Sequence, residues 1–399
     1  MEGISLAAIG ALLLVACLIA IVSRRLGLPY IVGLVVAGFL IALLPDSPQL
    51  PLSRDLIFNV FLPPLVFEAA LQLDWRRFRG ELPLTLTLAF IGVGIAAAVV
   101  AGGMHWLIGW SWIGAALFGV LIAATDPVSV IASFREMGCE PRVSMIVESE
   151  SLLNDGVAAV GFAVLSAIAV GSAASAGTVI PAFLWTLGGG LIIGIAVSGA
   201  ILFVVRRTDD ALVEITLTTI VAYGSFLLAE YWHASGIISA LAAGLVVGSG
   251  RRFLSEEGRK RVHWAWEYFA FLANSFVFIL IGMNVANQPL HRLGSTAAVA
   301  IGLVLLGRAL SIYPLSVLFR WSRWRIDAPF QHTLFWGGLR GALALALALA
   351  VPATVAERGA IILTAFVVVA FSILVQGLTM PWLIKHFGLS GPEVAARET

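Results

Sequence analysis

The chain has 399 residues, of which 60% are hydrophobic and only 12% are charged. Because soluble domains average roughly 25% charged residues, this composition excludes an ordinary soluble protein and predicts an all-α polytopic membrane protein. A net charge of +1 and the absence of a basic tail argue against a nucleic-acid partner. Cys17 and Cys139 form no ligand cluster, so no disulfide framework and no cofactor are expected.

Apolar stretches close to the ~20 residues that cross a bilayer recur along the sequence. The first, 4–22, is followed by Arg24 and Arg25 and lacks an evident cleavage site, which favours a membrane span over a signal peptide. The thirteen predicted spans are about 4–22, 29–44, 55–72, 83–107, 111–135, 144–170, 178–205, 211–231, 235–249, 265–286, 295–319, 330–351 and 359–385.

The positive charges between the spans indicate the orientation. If alternate loops face the cytoplasm, 19 of the 24 Lys and Arg residues lie on the cytoplasmic side, as the positive-inside rule requires. The amino terminus is then outside a plasma or inner membrane, and the carboxyl terminus is cytoplasmic. Arg308 and Arg340 fall within spans and need partners there.

Two predicted spans contain helix breakers at corresponding positions. With thirteen spans, spans 1–6 and 8–13 cross in opposite senses, which is typical of inverted-repeat transporters. Span 5 contains Asp126-Pro127, where proline disfavours helix at the preceding residue. Span 12 contains the glycine-rich stretch 337–341, which lowers helix propensity. We therefore expect an inverted-repeat fold in which these two helices unwind and cross.

Residues 148–160 place carboxylates inside an apolar segment. An ionised group at membrane depth costs ~2.5–3.5 kcal/mol on insertion scales and usually faces a cavity or a partner, so Asp155 is a candidate site residue. Ser151 precedes it by one helical turn and shares its face, whereas Glu150 shares a face with Asn154. Different roles are predicted for the two acids. A solvated loop is the alternative, but residues 157–170 continue as an apolar run.

Four stretches resemble the monovalent cation:proton antiporters, in the branch of NhaP-type sodium/proton antiporters and eukaryotic sodium/hydrogen exchangers. They are FLPPLVFE at 61–68, ATDPV at 124–128, ESLLNDG at 150–156 and GGLRG at 337–341. Their order and the span count match over essentially the whole chain. The resemblance implies a thirteen-span antiporter fold, a homodimer, and a core domain that moves against a dimerisation domain.

The same resemblance implies a division of the chain. Residues 1–107 would hold spans 1–4, with spans 1–3 mainly in the dimerisation domain, and 108–170 would hold core spans 5 and 6. Residues 171–290 would hold spans 7–10, mainly in the dimerisation domain, and 291–386 core spans 11–13. A short cytoplasmic tail would follow at 387–399.

By the same resemblance, Asp155 would bind a proton and a cation alternately. Glu68, the Ser151 hydroxyl and the Thr125 carbonyl would complete a Na⁺ site. Oxygen ligands suit a hard monovalent cation, so the residue types agree with this role.

Other positions would support that site. Asp126 would balance the amino-terminal ends of half-helices at the crossing, and Asn154 would connect the site by hydrogen bonds. Glu150 would pair with Arg340. For Arg308 the expected partner is a core acid or backbone carbonyls, and both remain open.

The predicted function is exchange of Na⁺ or Li⁺ for H⁺ by alternating access, not an enzymatic reaction. Asn154 favours electroneutral one-for-one exchange, since related antiporters with an aspartate there are associated with an extra charge. Titration of Glu68 would instead allow two protons per cation. Alternatives are a K⁺/H⁺ antiporter of the same fold, a cation channel, and an intramembrane aspartyl protease with Asp126 and Asp155 as its dyad.

Three further polar residues receive weaker predictions. Glu214 and Glu230 lie near the ends of span 8 and are expected to be solvated or to extend to the membrane surface. Asn274 in span 10 is expected to support helix packing or the interface between domains.

Overall fold

In the computed structural model, the described residues are 6–26, 28–44, 52–171, 176–250, 253–289 and 294–389. Across these ranges the regular structure is entirely helical. The helices are α1 (Leu6–Leu26), α2 (Tyr30–Ala42), α3 (Arg54–Gln72), α4 (Trp75–Ile108), α5 (Trp112–Ala123), α6 (Val128–Glu136), α7 (Pro141–Ala169), α8 (Ala176–Val205), α9 (Ala211–Tyr231), α10 (Gly236–Ser249), α11 (Glu256–Ala286), α12 (Thr296–Leu318), α13 (Ala328–Trp336), α14 (Ala342–Leu349) and α15 (Arg358–His386).

Eight helices in the described ranges are long and apolar enough to cross a membrane: α3, α4, α7, α8, α9, α11, α12 and α15. Shorter apolar helices accompany them, including Tyr30–Ala42, Trp112–Ala123 and Gly236–Ser249. The prediction of an all-α polytopic membrane protein is confirmed, whereas the count of thirteen spans and the domain division stay predictions. Part of the predicted tail, 390–399, lies outside the described residues.

Some helices begin well before the apolar run that predicted them. The helix α4 begins at Trp75 and not near 83, because Asp74 caps it by accepting from the N–H groups of Arg76 at 2.9 Å and Arg77 at 3.2 Å. These backbone hydrogen bonds, above all that from Arg77, hold the pKa of Asp74 below its ordinary value. Hydropathy marks where a helix enters the bilayer, whereas a cap marks where the helix begins.

Pro63 and Pro64 do not interrupt α3. A π-helical turn, Ile57–Phe61, precedes them, and the α-helical part begins at Leu62. The prolines therefore lie in the first turn of this α-helical part, directly after the π-helical turn. As a result α3 continues to Gln72 and carries Glu68 within one helix.

The two predicted interruptions are confirmed. The helix α5 ends at Ala123 and α6 begins at Val128, while α13 ends at Trp336 and α14 begins at Ala342. The N–H of Asp126 donates to the carbonyl of Leu339 at 2.8 Å. The two unwound segments are therefore hydrogen-bonded to each other where they cross.

Glycines allow α2 and α11 to touch through their backbones. A Cβ added at Gly38 would lie 2.1 Å from the carbonyl oxygen of Ile279, and one at Gly282 would lie 2.1 Å from that of Val35. At this contact, the backbone of each helix leaves no room for a side chain in place of the glycine of the other helix.

The contacts of α5 and α7 differ in kind. A Cβ at Gly119 of α5 would lie 2.4 Å from the carbonyl oxygen of Ala97 in α4, which is again backbone. At Gly156 of α7 the nearest atom is instead Cδ1 of the Ile238 side chain in α10, at 2.1 Å. Backbone fixes the first approach, whereas the second involves the end of a rotatable side chain.

Candidate functional site

A small cavity lies where the interrupted helices cross. Its lining includes Thr125, Asp126, Asp155, Asn274 and Gly341, and it offers about 60 Å³ to water-sized molecules. That space admits a few waters or one partly hydrated monovalent cation. Oδ1 of Asp155 is buried and accepts no hydrogen bond from any described residue. The cavity therefore holds one carboxylate oxygen free to bind a proton or a cation.

Hydrogen bonds connect the break after α5 to α7. The Ser151 hydroxyl lies 2.9 Å from the Thr125 hydroxyl and donates to the Thr125 carbonyl. The Asn154 amide donates to the Thr125 hydroxyl at 3.2 Å and to Oε1 of Glu150 at 3.1 Å. Asn154 thus connects Thr125 to Glu150, and Thr125 lies with Asp155 on the cavity lining, whereas Ser151 is not part of that lining.

Asp126 lies between the amino-terminal ends of α6 and α14. Its Oδ1 accepts from the N–H of Val128 at 3.0 Å, and the backbone N–H of Ala342 also bonds to the carboxylate. A carboxylate is favourable there because free N–H groups and the helix dipole are positive. A Cβ at Gly341 would lie 2.0 Å from Oδ2 of Asp126, so the crossing has room for glycine alone.

Arg340 caps the other end of the same crossing. Its Nη1 donates to the carbonyls of Ala123 at 3.2 Å and Ala124 at 3.3 Å, the last of α5. A buried cation is stabilised at this negative end of a helix. The Ser372 hydroxyl accepts from the Arg340 N–H at 2.9 Å and lies 3.1 Å from its carbonyl, which fixes the backbone of the break.

Glu150 pairs with Arg308 and not with Arg340. Nη1 and Nη2 of Arg308 lie 2.7 and 3.1 Å from the two Glu150 oxygens, and the residues are only 6% and 1% exposed. Arg308 also donates to the Leu334 carbonyl, at 2.9 Å, in the last turn of α13. The predicted Glu150–Arg340 pair is wrong, because Glu150 faces α12 while the α5 carbonyls attract Arg340. Arg308 has both of its expected partners, an acid and a carbonyl.

Glu68 lies on a neighbouring cavity of about 290 Å³, together with Glu148 and Glu267. Its carboxylate accepts from the side-chain amide of Gln72. The two cavities share Asn274 on their lining. The structure thus brings Asp155, Asp126 and Thr125 together and leaves Glu68 beside them, so its implied role as a ligand stays a prediction.

Three residues have positions that the sequence analysis missed. Asn274 lines both cavities, and an amide in an apolar span was the available signal. Ser372 carries no such signal, since a serine in a span most often bonds its own helix. Glu214 is fully buried and accepts from the N–H of Ser255 at 3.0 Å. The expectation that it is solvated is wrong, because it caps the start of α11, whereas Glu230 is exposed as expected.

Comparison with known proteins assigns this arrangement to a family. A family model described as "Sodium/hydrogen exchanger, transmembrane" matches residues 11–386. The chain belongs to the sodium/hydrogen exchanger family.

Curated members of this family extend the comparison. The chain is 38% identical over 387 residues to the Na⁺/H⁺ antiporter ApNhaP of Aphanothece halophytica, covering 96% of this chain and 74% of that one. It is 31% identical over 395 residues to the Na⁺/H⁺ antiporter NhaH of Halobacillus aidingensis, covering 95% and 97%. The fold is similar to that of the sodium proton antiporter MjNhaP1 from Methanocaldococcus jannaschii, with a TM-score of 0.74 at 20% identity over 96% and 98% of the two chains.

For this sodium/hydrogen exchanger, we predict that Gly341→Ala removes most cation-dependent proton flux. The added Cβ would displace the Asp126 carboxylate from the helix ends that it caps. Gly302→Ala is the matched control, because a Cβ there meets nothing within 4 Å. Flux in proteoliposomes is the measurement. Equal, undiminished flux in the two variants would contradict the close contact at the crossing.

We also predict that Glu150 and Arg308 are energetically coupled. Neutralising one partner of a buried pair costs ~3–5 kcal/mol because the other charge stays uncompensated. Glu150→Gln and Arg308→Gln should each lower the unfolding temperature in detergent, and the double variant should lose less than the sum.

An exposed pair provides the control for this cycle. Arg261 and Glu257 also lie 2.7 Å apart, but their side chains are 57% and 62% exposed. Neutralising either should cost ~0–1 kcal/mol. Additive losses at Glu150 and Arg308 would mean that the two side chains do not interact.

Proposed function

We propose that this protein exchanges Na⁺ for H⁺ across a membrane, one for one, with Asp155 binding either ion in turn. The supporting observation is the charge balance at the crossing. Among the described residues, the charged groups at the crossing are three carboxylates and two guanidinium groups: Asp126, Glu150, Asp155, Arg308 and Arg340. With all of them ionised, one negative charge is in excess, and one proton or one monovalent cation cancels it.

Asp155 carries that excess because the other acids are already compensated. Glu150 has the two-point contact with Arg308, and Asp126 has the amides of two helix ends. An uncompensated charge inside the bundle is costly, so Asp155 can release a proton only when a cation replaces it. This requirement couples the two fluxes.

The cavities favour a carrier over a channel. The site cavity shares Ala69, Pro127, Val128 and Asn274 with the acidic cavity that contains Glu68 and Glu148. Among the described residues, it shares none of its lining with a third cavity of about 310 Å³, further along α7, which includes Arg54 and Glu230. Access from one side at a time is what alternating access requires, whereas a channel needs a continuous path.

The acidic cavity supports the choice of a cation as the transported ion. Glu148 lies near the amino-terminal end of α7, which is predicted to be cytoplasmic. Together with Glu68 and Glu267 it gives this entrance a negative lining, which raises the local concentration of cations. We propose that cytoplasmic cations enter here, that the amino terminus is outside, and that the chain acts as a homodimer in a cell membrane.

Sodium is proposed as the main cation because both curated relatives above are named Na⁺/H⁺ antiporters. Asp155, the Thr125 carbonyl and the Ser151 hydroxyl would supply its oxygen ligands, with Glu68 contributing from the adjoining cavity. Li⁺ has the same ligand chemistry. No observation favours the K⁺ alternative or the protease, for which Asp126 would have to leave its helix ends.

We predict that Asp155→Asn abolishes exchange, because asparagine can neither release a proton nor neutralise a cation. The measurement is Na⁺-dependent proton flux in proteoliposomes that contain a fluorescent pH probe. Asp209→Asn, in the exposed loop before α9, is the control and should retain wild-type flux. Full activity of a correctly folded Asp155→Asn protein would refute the shared site.

We further predict that an imposed membrane potential leaves the initial rate unchanged. One proton exchanged for one monovalent cation moves no net charge, so voltage does no work on the cycle. The potential is set with K⁺ and valinomycin, after a control shows that K⁺ itself is not transported. A strong voltage response at fixed pH and Na⁺ gradients would rule out one-for-one exchange and indicate that Glu68 also titrates.

A further inference from the structure

The loop between α12 and α13 alternates arginine with aromatic residues. It reads FRWSRWR from 319 to 325. The side chains of Arg320 and Arg323 are exposed, and Trp321 is 85% exposed. A tryptophan so exposed at the end of a membrane helix is typical of side chains that lie at the membrane interface.

The arginines of this loop are held by the tryptophans and not by acids. The Arg320 guanidinium lies 4.6 Å from the Trp321 ring centre, and that of Arg323 lies 4.8 Å from Trp324. Within the described part of the chain, neither arginine has a carboxylate within 4 Å, whereas Arg325 pairs with Asp327 at 2.8 Å. Stacking on a ring orients a guanidinium and leaves its N–H groups available.

The loop is fixed against two neighbouring helices. The Trp324 indole N–H donates to the Gly80 carbonyl of α4 at 2.7 Å. Arg142, at the start of α7, donates to the Arg325 carbonyl at 3.2 Å and pairs with Glu81 at 2.9 Å. The ends of α4, α7 and α12 are thereby joined into one surface.

The start of α4 extends this surface with the same residue types. Trp75 is 42% exposed, and Arg76 and Arg79 are exposed beside it. We name the combined surface the arginine–tryptophan patch, with the members Trp75, Arg76, Arg79, Arg320, Trp321 and Arg323.

We propose that the arginine–tryptophan patch binds the phosphate headgroups of anionic phospholipids. Tryptophan prefers the membrane interface, arginine matches a phosphate through paired N–H donors, and basic clusters beside membrane helices are attracted to anionic lipid. A cavity of about 370 Å³ adjoins the patch, and its lining includes Arg320, Arg325, Asp327 and Gln331. Because Arg325 pairs with Asp327 and the Gln331 amide donates to the Ile326 carbonyl, Arg320 is the donor that this cavity offers to a headgroup.

The location of the patch gives the binding a consequence for transport. Among the helices that it joins, α7 carries Asp155 and α12 carries Arg308. Lipid bound here would contact a surface that is hydrogen-bonded to the start of α7 and continuous with the end of α12, the two helices that carry Asp155 and Arg308.

The first test is thermal unfolding of the purified full chain in detergent during titration with phosphatidylglycerol or phosphatidylcholine. A ligand that binds the folded state raises the unfolding temperature, so phosphatidylglycerol should stabilise more than phosphatidylcholine. The variant Arg320→Gln/Arg323→Gln should need roughly tenfold more phosphatidylglycerol for the same shift.

The matched control is Arg206→Gln/Arg207→Gln. These two arginines are also exposed and stacked, at 4.1 and 4.7 Å over Phe203 at the end of α8. The control makes the same charge change outside the patch and should retain the wild-type lipid response. If both double variants lost the stabilisation by phosphatidylglycerol equally, the net charge of the protein alone would explain the lipid response, and the proposal would be overturned.

A direct readout of contact uses brominated lipids, which quench tryptophan fluorescence. Brominated phosphatidylglycerol should quench the wild-type protein more than brominated phosphatidylcholine does, and Trp321→Phe should reduce this excess, with the remainder due to Trp75. No excess in the wild type, or equal stabilisation by inorganic phosphate alone, would overturn lipid binding and indicate at most a soluble-anion site.

Discussion

Four helix ends, those of α5, α6, α13 and α14, meet inside an apolar bundle. The rest of the site follows from the need to give their free N–H and C=O groups hydrogen-bond partners. A helix terminus has free N–H or C=O groups, which cost several kcal/mol each where water is absent. Arg340 serves the carbonyl end of α5, Arg308 that of α13, and Asp126 the amide ends of α6 and α14. The unwound crossing is stable in the membrane because charged side chains replace water at its ends.

These caps bring a second requirement, since each buried charge must itself be offset. Glu150 meets Arg308 through two hydrogen bonds, and Asn154 connects that pair to Thr125 at the break. The ion site that we propose, Asp155, is therefore not a separate cluster added to the bundle. Among the described residues of this network, it is the carboxylate that has an oxygen, Oδ1, without a hydrogen-bond partner.

The sequence predicted the parts of this network that stand out against an apolar background. Asp155, the Asp126-Pro127 break and the glycine-rich break were found because each violates what a span should contain. The partner of Glu150 was not found, because helical spacing defines the face of a residue and not which of several distant helices lies opposite. Glu214 was misjudged for a related reason: it lies near a predicted span end, but a loop folds over it. The early start of α4 escaped hydropathy because its first turns are charged.

The glycine contacts have a mechanical meaning. Where backbone meets backbone, as between α2 and α11 through Gly38 and Gly282, nothing compliant separates the helices, and the pair is stiff. The contact of Gly156 with the Ile238 side chain yields more easily, because a change of rotamer at Ile238 can accommodate a displacement of the two helices. A displacement of the helices is therefore absorbed more easily at this contact, directly beside Asp155 in the chain, than at the two backbone contacts. The size and shape of the side chain at position 238 then govern how readily α7 shifts against α10.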